Sequence, residues 1–194
     1  AATRHLLARG HKHVLHIGGP RDVMSAVERA AGWQRALREE GIEPRDDWRI
    51  CTEYEVAPAF AAARDIFSRG QRPTAVFAGS DAIALGVMMQ ARAHDVAIPG
   101  DLSLVGFDGM PIVDLLGPPL TSVAQPIDQL GRQGALSLVN LLNGTNSQFE
   151  TRRLPVSLVS RSSVAAPGQT ASAATRNLID QAQGIFPALK TKGV

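Results

Sequence analysis

The chain lacks the features that would place it quickly in several large classes. It has one cysteine, Cys51, among 194 residues, so no internal disulfide framework exists. A lone thiol fits a reducing compartment, and a cytoplasmic location is expected. No apolar run approaches membrane-spanning length, so no membrane partner is expected. Charge of one sign is also missing. The formal net charge is +2, and Arg4, Arg9, Lys12, Arg21 and Arg29 are scattered rather than gathered into the stripe that a phosphate backbone needs. These residues alone are therefore not expected to bind nucleic acid. There is no signal-peptide layout and no initiator Met, and the first residues read as mid-helix. The chain is expected to be a piece of a longer one.

Catalytic and metal sets are incomplete. His11 and His13 alternate onto one side of an extended chain and His16 onto the other, with no cysteine or paired acid to complete a ligand set. A turn with surface histidines is the expectation, and neither a metal nor a cofactor is called for. Gly18-Gly19-Pro20-Arg21 before a helix suits an anion but lacks the Gly-Lys-Ser/Thr ending of a P-loop. Ser80 stands between a strand and a helix, as a hydrolase nucleophile does. The elbow motif wants glycines where this chain has Ala78 and Ala82, and no histidine follows His94. Ser80 or Asp81 capping the helix is the plainer reading.

What is present is a rhythm. Hydrophobic residues are 44% and charged residues 20%, a normal composition for a folded chain. Residues 2–9 read as a helix closed by Gly10, and 14–17 as an apolar strand. Ala26, Ala30, Trp33 and Leu37 recur at helical spacing over 22–40. Strands follow at 49–54, 75–78 and 102–107, with helices at 59–67 and 81–94 between them. Gly70 and Pro73 punctuate the exit from the helix at 59–67. Pro99 and Gly100 take the central positions of a turn. Strand and helix at this spacing, with unalternating apolar strands, predict an α/β fold whose parallel sheet is flanked by helices. Beyond a loop at 111–119, a strand at 120–125, an amphipathic helix at 126–142 and a final strand at 153–159 are expected. Residues 164–174 read as a linker. In the last stretch Leu178, Ala182, Ile185 and Leu189 have coiled-coil-like spacing, interrupted by Pro187.

The most informative stretch is 74–111, two buried strands with a helix between them. Each strand ends in a polar group, Ser80 and Asp108, at the position where open parallel sheets bind ligands. An acceptor-only carboxylate at Asp108 suits neighbouring hydroxyls of a polyol or sugar, against the alternative of an Asx-turn at Asp108-Gly109. Arg29, among Val27, Ala30 and Ala31, suits a ligand carboxylate or hydroxyl pair, against the alternative of a salt bridge. The helix 81–94 is apolar almost all round, so Ile83, Val87 and Met88 are expected to meet a second copy.

At these residues the chain resembles the effector-binding region of the lactose/galactose repressor family of bacterial transcription regulators. The matching pieces include His16-Ile17-Gly18-Gly19-Pro20 and Glu28-Arg29-Ala30-Ala31-Gly32-Trp33. They continue with Pro73 to Ala78, Ser80-Asp81, Ile98-Pro99-Gly100-Asp101, Leu104-Val105-Gly106-Phe107-Asp108 and Pro118 to Val123. The resemblance runs from the first residue to about Ser160. It implies a periplasmic-binding-protein-like fold, mainly the C-terminal lobe (1–124) plus part of the N-terminal lobe (125–152). A returning strand at 153–161 and a linker and tail at 162–194 complete the implied layout.

The resemblance also implies a non-enzymatic, allosteric repressor whose small-molecule effector is a sugar or related polar metabolite. Arg29, Tyr54, Ser80 and Asp108 are implied to touch that effector, with Gln125 and Ile127 at the crossing between lobes and Ser25 near the cleft. A homodimer is implied, as is operator DNA bound through an N-terminal head that would precede residue 1. The family commonly has Asn where this chain has Ser80. An exported sugar-binding protein for uptake or chemotaxis is the alternative with the same fold.

Overall fold

The computed structural model describes residues 1–68, 72–144 and 151–168. Gly70, the segment 145–150 and the tail from 169, with its Leu178 to Leu189 spacing, lie outside the described residues. Six strands form one sheet: β1 (Val14–Gly18), β2 (Arg49–Cys51), β3 (Ala75–Ala78), β4 (Ser103–Asp108), β5 (Thr121–Ala124) and β6 (Ser157–Val159). Their order is β2-β1-β3-β4-β5-β6. The first five run parallel, and β6 returns antiparallel to β5, with Val123 opposite Leu158. The sheet is thus mostly parallel, as expected, and mixed only at the edge where β6 returns. Residues 153–156, expected as strand, do not pair.

Helices cover both faces: α1 (Ala2–Leu7) and α2 (Met24–Glu39) on one, α3 (Val56–Ser68) and α4 (Asp81–Ala93) on the other. Side chains alternate across a strand, so one strand supplies two cores. Val14 joins Leu6, Trp33, Leu37, Ala75 and Phe77 beneath α1 and α2. Its neighbours Leu15 and Ile17 join Ala59, Ile66, Val76, Ile83 and Val87 beneath α3 and α4. This double duty is why β3 and, apart from the buried His16, β1 read as apolar runs. Gly10 takes φ +92 as the chain leaves α1, a conformation that costs a glycine little. The buried Trp33 indole N–H donates to the Val14 carbonyl at 3.1 Å, so burying the ring strands no donor.

Two expectations are corrected by the packing. Ile83 and Val87 are wholly buried inside this chain and have no surface to offer a second copy, while Met88 packs partly buried against the same cluster. The apolar circumference of α4 is answered by the sheet on one side and α3 on the other. The two helices cross so closely that a Cβ on Gly86 would lie 2.7 Å from the Ala59 Cβ and the Phe60 nitrogen. The histidines are not all on the surface either. His11 is buried, with its ring nitrogens 3.0 Å from the Thr74 hydroxyl and 2.8 Å from the Ala165 carbonyl. His16 is fully buried and stacks on Phe77.

The stretch read as a linker from 164 is tied down at its start. Ser163 Oγ donates to the Leu104 carbonyl at 2.6 Å, and the Ala165 N–H donates to Ser103 Oγ at 3.0 Å. After β5 the chain enters α5 (Ile127–Leu142), which has no buried residue. Its apolar side chains Leu130, Leu136, Leu138, Val139 and Leu142 are all exposed. Among the described residues no helix is long and apolar enough to cross a membrane.

Candidate functional site

The strand order reverses direction at β1, whose neighbours β2 and β3 carry the chain off to opposite sides. Open α/β sheets hold ligands in the crevice beyond the strand carboxyl ends at such a reversal. Here Gly18 and Gly79 meet at that point. The Gly79 N–H donates to the Ile17 carbonyl at 2.7 Å, and a Cβ on Gly79 would stand 3.2 Å from Gly18 Cα. Tyr54 lies so close over Gly19 that a Cβ there would fall within 2.5 Å of its ring atoms.

Arg29 reaches into this crevice from the middle of α2, where its neighbours Ala26, Ala30 and Trp33 anchor the helix. Its Nη1 donates to the Gly79 carbonyl at 2.6 Å and lies 3.4 Å from the Tyr54 hydroxyl. The guanidinium carbon sits 3.9 Å from the centroid of Phe107, within cation–π range. Its Nη2 is 3.8 Å from Asp108 Oδ1, an ion pair too long for a direct hydrogen bond.

Asp108 ends β4 with φ +118, a conformation that L residues rarely adopt. Its Oδ1 accepts from Gln125 Nε2 at 2.8 Å. The backbone repeats the link, the Gln125 N–H donating to the Asp108 carbonyl at 3.0 Å. Burial pushes the Asp108 carboxyl above its ordinary pKa, while the Arg29 charge and the Gln125 hydrogen bond pull it back. The carboxylate keeps lone pairs free for hydroxyl donors.

Ser80 is 3% exposed and caps α4, its Oγ accepting from the Ile83 N–H at 3.1 Å. That is the plainer of the two readings of this residue, and His94 lies at the far end of the same helix. Asp81 therefore has no capping to do. Its buried carboxylate accepts from Ser122 Oγ at 2.6 Å and from the Met110 N–H at 2.8 Å, pinning the loop that carries Asp108 to β5.

The fold thus brings Arg29, Tyr54, Asp108 and Gln125 together, with Ser80 beside them beneath the surface. Ser25 is exposed one turn before Arg29 on the same face of α2. Ile127, 58% exposed, begins α5 two residues after Gln125. Phe107 is not marked in the sequence, and Asp81 is marked there only as a candidate cap, not as the partner of Ser122 and Met110. Their neighbours Asp108 and Ser80 were the available signal, but only the placement of α2 and β5 gives them their partners. Among the described residues no three His, Cys, Asp or Glu side chains are grouped to hold a metal ion. A donor fork, an acceptor-only carboxylate and an aromatic ring can together hold a neutral polyhydroxylated molecule.

Residues 3–164 match the family of periplasmic binding protein-like domains. The chain belongs to that family. This periplasmic binding protein-like domain is 32% identical over 163 residues to the HTH-type transcriptional repressor PurR of Vibrio atlanticus. It is 31% identical over 162 residues to the ribose operon repressor of Escherichia coli. Each alignment covers 84% of this chain and 49% of the relative, so the domain spans about half the length of the curated proteins it matches.

Among solved structures, a transcriptional regulator CelR–cellobiose complex superposes with a TM-score of 0.81 at 32% identity, covering 84% of this chain and 50% of that one. A lac repressor dimer bound to operator and an anti-inducer superposes with a TM-score of 0.78 at 30% identity, covering 85% and 58%. The resemblance to the effector-binding region of the lactose/galactose repressor family is borne out. Both of these curated relatives are named as repressors.

Proposed function

We propose that this chain is the effector-binding part of a cytoplasmic transcription repressor. In this reading the crevice at Gly18 and Gly79 takes a sugar or similar polyhydroxylated metabolite. The observation that carries the proposal is the Arg29–Asp108 pair, held 3.8 Å apart at the reversal of the sheet with a carboxylate still able to accept. Neighbouring hydroxyls would bridge the two charges, donating to Asp108 and accepting from Arg29. Tyr54 and Phe107 supply apolar faces for the ring, and Gln125 and Ser25 border the opening. Cellobiose is bound by the CelR relative, which supports a sugar as the ligand class.

Regulation is proposed to work by population shift. Effector binding favours one arrangement of the two lobes, and in a homodimer that changes the spacing of DNA-binding heads lying outside this chain. The exposed apolar side of α5 supports a second lobe wall packed against it. A homodimer is supported by the lac repressor relative, which is a dimer on operator. On α4, Met89 (50% exposed) is the large apolar side chain left for such a contact.

The test is calorimetric titration of the full-length protein with a sugar panel, alongside its Asp108→Ala variant. Removing a charged acceptor should weaken binding by about tenfold or more. Unchanged affinity in Asp108→Ala would remove this residue from the site.

A further inference from the structure

A second cleft lies away from this crevice, at the β2 edge of the sheet. It encloses about 350 Å³ and is lined by Arg21, Trp33, Gln34, Arg45, Asp46 and Arg49. Three guanidinium groups face one carboxylate there. Arg49 is paired in register with His16, two residues before the strand ends at Gly18 and Cys51, so its position is below the effector crevice. The buried ring of Trp33 has its N–H committed to Val14 and serves as apolar wall.

The charges in this cleft are poorly compensated. Arg49 Nε is buried and has no hydrogen-bond acceptor. Among the described residues neither Arg49 nor Arg21 has an ion-pair partner within 4.0 Å. Arg45 uses two nitrogens on Asp47, both at 2.9 Å, and keeps a third. Guanidinium groups gathered on one cleft with little counter-charge repel one another, and an oxyanion among them relieves that repulsion. Guanidinium forks match the oxygen spacing of phosphate, and the volume exceeds what one phosphate group fills.

We infer that this cleft binds a small phosphorylated metabolite through its phosphate group, independently of the sugar crevice. Arg49 and Arg21 grip the phosphate, Arg45 adds a third donor, and Gln34 and Asp46 meet the remainder of the molecule.

The experiment titrates the full 194-residue chain with inorganic phosphate, a phosphorylated sugar and its unphosphorylated parent, in a buffer free of other multivalent anions. The readouts are tryptophan fluorescence, to which the two tryptophans contribute, and thermal stability. Saturable binding of both phosphate-bearing probes, tighter for the phosphorylated sugar, is expected. Arg49→Gln should weaken it at least tenfold and Arg21→Gln several-fold. Arg38→Gln, which removes an equal charge from an exposed pair with Glu43, should leave it unchanged. Arg21 is exposed, so Arg21→Gln decides the matter if Arg49→Gln fails to fold. Asp108→Ala, which alters only the sugar crevice, should bind inorganic phosphate like the parent chain. No saturable response in the unaltered chain, equal binding in all three arginine variants, or loss of inorganic phosphate binding in Asp108→Ala would each overturn the inference.

Discussion

Gln125 donates to Asp108 Oδ1 at 2.8 Å and, through its backbone, to the Asp108 carbonyl, clamping the end of β4 to the point where the chain leaves β5 for α5. The clamp holds a carboxylate in a desolvated place with a positive φ, which is a cost to stability at the site proposed to bind ligand. Because burial raises the folded-state pKa, Asp108 takes up a proton more readily in the folded chain than in the unfolded one. That contribution is present at low pH and is lost as the pH rises through the folded value. Asp108→Asn keeps an acceptor for Gln125 and removes the charge. It should be more stable than the parent at pH 7, by roughly 0.5–2 kcal/mol, with the advantage shrinking towards pH 3. Urea unfolding at the two pH values checks this, and an advantage that grows on acidification would contradict it.

Asp81 makes the opposite case, a buried carboxylate with donors on both oxygens, Ser122 Oγ and the Met110 N–H. Asp81→Ala should cost roughly 2–3 kcal/mol by denaturant melt, because it strands both donors. Asp81→Asn should retain part of that, and in the full-length protein both variants should weaken effector binding by releasing the Asp108 loop. A destabilised Asp81→Ala with undiminished affinity would confine Asp81 to a folding role.

His16 supplies a pH dependence of its own. Burial pushes its imidazole down to about 4, against the hydrogen bond to the Phe77 carbonyl that raises it. With the folded pKa below the unfolded 6.5, the contribution is complete above pH 6.5 and falls away as the pH drops towards 4. The loss amounts to roughly 3 kcal/mol. His16→Gln should flatten this part of the stability–pH curve, measured between pH 7.5 and 4. An unchanged slope in the variant would assign the acid sensitivity to other groups.

Two glycines should respond in opposite directions to the same substitution. Gly86→Ala drives a methyl against the backbone of α3 and should cost about 1–3 kcal/mol. Gly131, within α5, meets nothing within 4 Å, and Gly131→Ala should gain up to about 1 kcal/mol of helix propensity. Thermal melts of the two variants would settle the point, and a neutral Gly86→Ala would mean that α3 and α4 can slide apart.

Much of the architecture is legible along the chain because it is written in local periodicity. The spacing of Ala26, Ala30, Trp33 and Leu37 marks the buried stripe of α2, and the apolar blocks at 14–17 and 75–78 mark doubly covered strands. Ser80 and Asp108 are findable because strand ends follow from strand positions. The direction of β6 is not, since three residues with little burial carry no mark of their partner's orientation. Nor is the cover over α4, where Ile83 and Val87 have the same composition whether a sheet, another helix or a second copy buries them.

Residue identity along the chain therefore settled the α/β order, the apolar strands and the polar strand ends, because these depend on contacts a few residues apart. The crossing of α3 over α4, the task of Asp81 and the meeting of Arg29 with Phe107 and Asp108 were settled by folding. Each joins side chains tens of residues apart, and local spacing holds no information about which of many apolar or charged faces will meet.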